Sequence, residues 1–276
     1  MKPAAFEYVA PISLDEAVAA LAEHGEDAKV LAGGQSLIPL LSLRLARPTA
    51  LIDLNGVAEL SSISVNGSVS IGAMTRHHAL ERSADIARAA PLIAAAVPYI
   101  GHRAIRTRGT IGGSLAHADP AAELPAVALA LDATFQVRST RGERTIPASE
   151  FFDGYFTTSL EPDEVLTRVT FPVAAPGTKV NVQEMARRHG DFAMVAVVAS
   201  AAPDGDTRLA LVNVADRPYR ATEAEAAAKG GASVDEGADL ATRDLDPADD
   251  LHASSAYRKH VARVLVGRAL AEVRSA

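Results

Sequence analysis

Two glycine stretches constrain this chain more than anything else in it: Ala32-Gly33-Gly34-Gln35-Ser36 and Thr110-Ile111-Gly112-Gly113-Ser114. Each lies next to an apolar segment and holds a hydroxyl residue. Glycine lets the backbone take left-handed angles and lets a ligand come close to the N–H groups. Successive N–H groups in such a turn make a concave anion site. Two such loops suit a ligand with two phosphates, although Gly-Gly is also ordinary turn punctuation. Neither loop has the Gly-x-Gly-x-x-Gly spacing, and no Gly-Lys-Ser/Thr occurs. The residues alone therefore lead to a pyrophosphate-type ligand held between two domains, and no further.

At 276 residues the chain is long enough for two or three modest domains with real cores. Its formal charge of −7 argues against a general nucleic-acid binder. It has no cysteine, so it forms no disulfide and offers no thiolate to an iron–sulfur cluster or structural zinc. The first residues show no secretory apolar region and no apolar run is of membrane-spanning length, so a cytoplasmic location is expected.

Along the chain, Phe6–Ala10 reads as a strand, and Ser13-Leu-Asp-Glu16 is a capping-box pattern opening a helix that Gly25 closes. Ala28–Leu31 is a buried strand, Leu37–Leu45 a helix ended by Pro48, and Ala50–Leu54 a strand. Asn66-Gly67 between Ser62–Val65 and Ser68–Ile71 predicts a hairpin. Thr75 is placed to cap a helix from Arg76, and Ala87–Tyr99 reads as helix interrupted by Pro91 and Pro98. Glu123–Asp132 is a further helix; 133–138, 144–146 and 165–171 are strands. Beyond Ala174-Ala-Pro-Gly177, strands at 193–201 and 208–214 precede helices at 222–229 and 255–273, with 230–250 as a polar loop. The expected fold is α+β: a small parallel α/β unit (1–56), a mixed or antiparallel unit (57–174) and a C-terminal α+β unit (178–276) with an antiparallel sheet and helices.

Five segments in order resemble one family: Ala32–Pro39, Ile71-Gly-Ala-Met-Thr75, Arg108–Pro120, Gln183–Ala193 and Ala256-Tyr-Arg258. The chain is similar over its whole length to the FAD-binding medium subunit of molybdenum hydroxylases, the carbon monoxide and xanthine dehydrogenase flavoproteins with a PCMH-type FAD domain. The resemblance implies FAD in the cleft between the first two units. It places Leu31, Ala32, Gly33, Gly34, Gln35, Ser36, Leu37 and Ile38, with Thr110, Ile111, Gly112, Gly113 and Ser114, around the pyrophosphate and ribityl chain. Ile100, His117, Glu123, Leu166 and Gln183 fall at further cofactor positions, although Gln183 lies near a position that is lysine in xanthine dehydrogenase. Gln35 offers no nucleophile, so the implied FAD is non-covalent.

The implied role is electron transfer. An iron–sulfur small subunit would carry 2Fe-2S clusters, a large subunit the molybdopterin, and the three would form a dimer of heterotrimers. Electrons would pass through this FAD to an acceptor. The alternatives are a self-contained PCMH-type flavin oxidase or reductase, and a flavin-free scaffold subunit.

Several polar residues carry two readings. His77-His78 cannot share a helix face, which favours a surface or N-cap role over a metal pair. His117 either contacts the cofactor or satisfies local backbone groups. Arg103, Arg106 and Arg108 either neutralise phosphate, face a partner or are simply solvated. Asp119 either starts a turn or caps the following helix. Arg187–Asp191 is either a tight turn or a loop over the flavin, and the resemblance favours the loop.

Overall fold

In the computed structural model, which describes residues 2–275, three main sheets follow one another along the chain, with a two-stranded β-ribbon beside the second. The first is built from β1 (Glu7–Val9), α1 (Leu14–His24), β2 (Ala28–Leu31), α2 (Leu37–Ser42) and β3 (Ala50–Asp53). Its order is β1-β3-β2, with parallel pairing throughout, so helical connections return the chain to the same edge. The Ser13 hydroxyl accepts from the Glu16 N–H at 3.2 Å. The Glu16 carboxylate accepts from Ile12 N–H, one residue before the reciprocal partner of a capping box. Leu14, Ala17, Val18 and Leu21 form the buried face of α1. The second helix is shorter than expected. It stops at Ser42 because Arg44 turns left-handed (φ 58°) and the Leu45 and Ala46 N–H groups fold back onto the Leu40 carbonyl; Pro48 plays no part.

The middle of the chain runs through β4 (Ile63–Val65), β5 (Ser68–Gly72), α3 (His77–Arg82), α4 (Ala84–Ala89), α5 (Pro91–Ala96), α6 (Arg103–Arg106), α7 (Ile111–His117) and α8 (Glu123–Ala130). It continues with β6 (Thr134–Ser139), β7 (Gly142–Pro147), α9 (Ala148–Phe151), β8 (Phe152–Gly154), β9 (Thr157–Thr158) and β10 (Val165–Pro172). Five of these strands form an antiparallel sheet in the order β4-β5-β10-β6-β7. Thr75 does not cap α3. Its hydroxyl donates to the Ser62 carbonyl at 3.1 Å, and Arg76 is the N-cap without a side-chain bond.

The last sheet holds β11 (Lys179–Met185), β12 (Val195–Ala201), β13 (Thr207–Val212) and β14 (Tyr219–Arg220), antiparallel in that order. Then come α10 (Thr222–Lys229), α11 (Val234–Thr242) and α12 (Ser255–Arg274). The expected polar loop at 230–250 thus contains a helix. Ser233 caps it by accepting from Glu236 N–H at 3.2 Å. Every residue of β12 is buried, because the sheet is covered on both faces. One face packs with α10–α12, the other joins the core of the middle unit through Val182, Ala196, Val198, Ala210 and Val212. No helix among the described residues is long and apolar enough to cross a membrane.

Candidate cofactor-binding cleft

The two glycine loops meet. A Cβ built on Gly33 would run into the Arg108 carbonyl and lie 2.7 Å from the Gly109 Cα, so only glycine lets the first loop lie against the second. Gly34 has φ 73°, the left-handed angle that turns the chain from β2 into α2. Among the described residues, no protein acceptor takes the N–H groups of Gly33, Gly34, Gln35 or Ser36. The Gln35 side chain turns back and donates to the Gly33 carbonyl at 3.1 Å. Four consecutive free N–H groups beside the neighbouring loop make the concave donor set that a pyrophosphate needs.

The second loop differs from the expected anion cradle. Its glycines lie inside α7, and their N–H groups are already used. Ile111 N donates to Thr75 O (3.0 Å), Gly112 N to Ala73 O (2.8 Å), Gly113 N to the Thr110 hydroxyl (3.1 Å) and Ser114 N to Thr110 O (3.0 Å). Gly112 is required by closeness: a Cβ there would lie 2.5 Å from the Ala73 Cβ and 2.7 Å from its carbonyl oxygen. Ala73 N in turn donates to Thr167 O in β10, so the loop is bolted to the five-stranded sheet. What the second loop offers a ligand is the half-buried Ser114 hydroxyl, which has no protein partner among the described residues.

A side-chain strut invisible to the motif reading links the loops. Asn55 Nδ2 donates to the Ala32 carbonyl at 2.9 Å, and Arg76 Nη2 donates to Asn55 Oδ1 at 2.5 Å. Arg76 Nη1 then donates to the Arg108 carbonyl. One loop's carbonyl is thereby tied to the other's through two side chains. Burial and the nearby Arg108 charge lower the Arg76 pKa, with Asp53 opposing. Arg76 and Arg108 together put positive charge beside the free N–H groups.

The arginines divide. Arg106 is no phosphate ligand: it pairs with Glu81 at 3.0 Å and donates to the carbonyls of Pro98, Ile100 and Gly101. That bond set shapes the turn bearing Ile100. Arg103 and Arg108 are exposed. His77 is buried at 4% exposure, which corrects the surface or cap reading, and no group of three metal-ligating residues occurs among the described residues. Burial lowers its pKa to about 4.

Around α7, packing brings further candidates close: α7 lies against β10, which carries the buried Leu166, and against α8, which begins at Glu123. His117, the last residue of α7, stacks near Phe156 with ring centres 5.1 Å apart, and burial lowers its pKa. Asp119 accepts from Ala121 N–H at 2.9 Å, which is the turn role. Glu123 is 5% exposed, and burial raises its carboxyl to about 8, with Glu184 and Asp119 adding to the shift. Gln183 does not join them with its side chain. It points to the same face of β11 as Asn181 and Met185, donating to Asn181 Oδ1 at 2.8 Å. The 186–191 loop lies against the turn after Ile100, where the His102 and His189 rings are 6.1 Å apart.

Two family models cover the chain: "FAD binding domain in molybdopterin dehydrogenase" matches residues 4–174, and "CO dehydrogenase flavoprotein C-terminal domain" matches 181–273. The 6-hydroxypseudooxynicotine dehydrogenase complex subunit alpha of Paenarthrobacter nicotinovorans is 40% identical, across 99% of this chain and 95% of that one. The carbon monoxide dehydrogenase medium chain of Hydrogenophaga pseudoflava is 40% identical, across 98% and 97%. Among solved structures, the carbon monoxide dehydrogenase of that organism superposes with a TM-score of 0.96 over 99% of this chain and 98% of that one, at 40% identity. Quinoline 2-oxidoreductase of Pseudomonas putida 86 gives 0.92 over 99% and 98%, at 38% identity. The chain belongs to the FAD-binding medium-subunit family of the molybdenum-containing dehydrogenases and hydroxylases.

Proposed function

We propose that this chain holds FAD non-covalently in the cleft where its two glycine loops meet, as the electron-transfer subunit of a molybdenum hydroxylase. It would stand between an iron–sulfur subunit and an acceptor. The observation that carries the reading is the row of four unpaired N–H groups at Gly33–Ser36, set beside Arg76 and Arg108. In this reading Leu31–Ile38 cradle the pyrophosphate from one side. Thr110–Ser114 close the other side as a wall, with Ser114 as a hydroxyl contact. Ile100, His117, Glu123 and Leu166 line the remainder, and Gln183 contributes through its backbone.

FAD when bound supplies the redox chemistry; the chain positions it and sets its surroundings. The first loop's N–H groups and the two arginines offset phosphate charge. The buried walls around α7 exclude water. Relatives are named as subunits or medium chains of complexes, which favours a subunit over a self-contained oxidase or a flavin-free scaffold. The same reading includes partner subunits carrying 2Fe-2S clusters and molybdopterin, a dimer of heterotrimers, and a cytoplasmic location. It divides the chain into 1–56, 57–174 and 178–276, in keeping with one main sheet in each part.

The test is reconstitution of the purified apo chain with FAD, read by the flavin absorption spectrum and by equilibrium titration. Binding that is lost in Gly33→Val and kept in His78→Ala supports the cleft. Full flavin occupancy in Gly33→Val overturns it.

A further inference from the structure

Strand parity in β11 turns an unassigned acid toward the core that α8 and its Glu123 pack into. The β11–β12 register runs without a bulge from Lys179 to Met185, so side chains alternate strictly. Val180 and Val182 pack into the core shared with α5 and α8, whereas Met185 packs with the α10–α12 core. Glu184 therefore shares the face of Val180 and Val182, toward the middle unit and away from Gln183. Its Oε2 is enclosed and has no hydrogen-bond partner. It lies close enough to Glu123 to act on it as a like charge.

No cation relieves this pair. Among the described residues, neither Glu123 nor Glu184 has a salt bridge. The charged groups on neighbouring elements are engaged elsewhere or have the wrong sign. Asp119 precedes α8 and is acidic; His117 is half-buried with a lowered pKa. Tyr99 donates its hydroxyl to the Val182 carbonyl. Arg208 and Arg220 pair with Asp132 at the other end of α8, and Arg220 also pairs with Glu225. Glu150 on α9 is exposed. Two carboxyls in one poorly hydrated seam cannot both ionise cheaply.

We propose that Glu123 and Glu184 form a like-charge acid pair of which one carboxyl stays protonated at neutral pH, and that FAD binding beside it is coupled to proton uptake. The second half rests on the cofactor cleft proposed above. Burial alone raises Glu184 to about 7, and its charge adds to the rise at Glu123, so both carboxyls titrate near neutrality. A cofactor that covers the seam removes water from it and adds phosphate charge nearby, and both effects favour the protonated form. Glu184 is thus a positioning residue that acts through Glu123.

Two measurements on the full-length apo chain test this. Infrared spectroscopy at pH 7 should show a buried protonated carboxyl band that shifts or disappears in both Glu123→Gln and Glu184→Gln. Calorimetric titration with FAD near pH 7.5, in buffers of different ionisation enthalpy, should show uptake of up to roughly one proton per FAD. Glu184→Gln should lose that uptake while binding FAD within a few-fold of the parent. Absence of the infrared band overturns the pair. A band with no FAD binding at all overturns the cleft and leaves the acid pair standing on its own. A band with FAD binding but no proton uptake in the parent chain overturns the coupling.

Discussion

His77 and Glu123 sit on either side of the second glycine loop, and burial pushes their pKa values in opposite directions. His77 has both ring nitrogens enclosed without partners. Burial pulls it from 6.5 to about 4; the Thr110 backbone opposes this, and the charges of Arg106 and Arg76 add to it. A base whose pKa is depressed in the folded state binds protons preferentially when unfolded. Its contribution is therefore complete above pH 6.5 and lost as pH falls toward about 4. That displacement is worth about 3 kcal/mol. Glu123 is raised in the folded state, so its contribution is present below about 4.5 and lost as pH rises through about 8. Urea midpoints of the apo chain should fall on both the acid and alkaline sides. His77→Leu should flatten the acid limb and leave the alkaline one; an unchanged acid limb would place its cause elsewhere. Neither residue's state was legible from sequence. Adjacent histidines on a helix say that they face different ways, but not that one faces a dry core beneath Gly109.

Among the elements, the loops and their strut show why the motif was readable and its mechanics were not. Gly-Gly marks the two loops that lie against each other, but for Gly112 the reason is contact with Ala73 rather than a left-handed angle. Asn55 and Arg76 lie outside both motifs, and nothing local in sequence distinguishes them from solvated polar residues. Only the fold brings the Ala32 and Arg108 carbonyls within reach of the two side chains. Arg76→Met and Asn55→Ala should each weaken FAD binding about ten-fold, and the double variant little more than either. A shared path gives coupling of roughly 1–2 kcal/mol in a double-mutant cycle. Additive losses in FAD titrations would show that the two residues act separately. The helix at 234–242 is different: Ser233-Val-Asp-Glu236 is a capping signal present in the sequence, outweighed by the polar composition around it. Lys179–Met185 gives no clear strand signal because four of its seven side chains are polar: Lys179, Asn181, Gln183 and Glu184 leave no apolar run. The alternation of Val180 and Val182 was the available sign.

At the scale of the molecule, the C-terminal sheet is the shared wall between two cores, and Arg258 pins the corner where they join. Arg258 is 2% exposed, donates to the Met194 carbonyl at 2.5 Å and pairs with Asp250. Asn213, whose carbonyl also accepts from Arg258, donates its N–H to the Pro120 carbonyl ahead of α8. Asp250 is half-exposed, so the main cost of removing the guanidinium is the unpaired Met194 and Asn213 carbonyls, about 1–3 kcal/mol. Arg258→Met should accordingly lower the thermal midpoint by several degrees, and a shift of under one degree would show that the bonds contribute little. The sheet itself predicts more. Alternation along β11 to β13 sends Val182, Ala196, Val198, Ala210 and Val212 into the core of the middle unit. A chain cut to residues 178–276 keeps its α10–α12 face covered but bares that second apolar face. An exposed face of this kind drives association. The fragment should run as oligomers or aggregates in light scattering and bind a hydrophobic dye, while co-expression with residues 1–177 should restore a soluble complex. A monomeric, dye-silent fragment would mean that β11–β13 repack without α5 and α8, and that the C-terminal unit folds independently of the FAD-binding part.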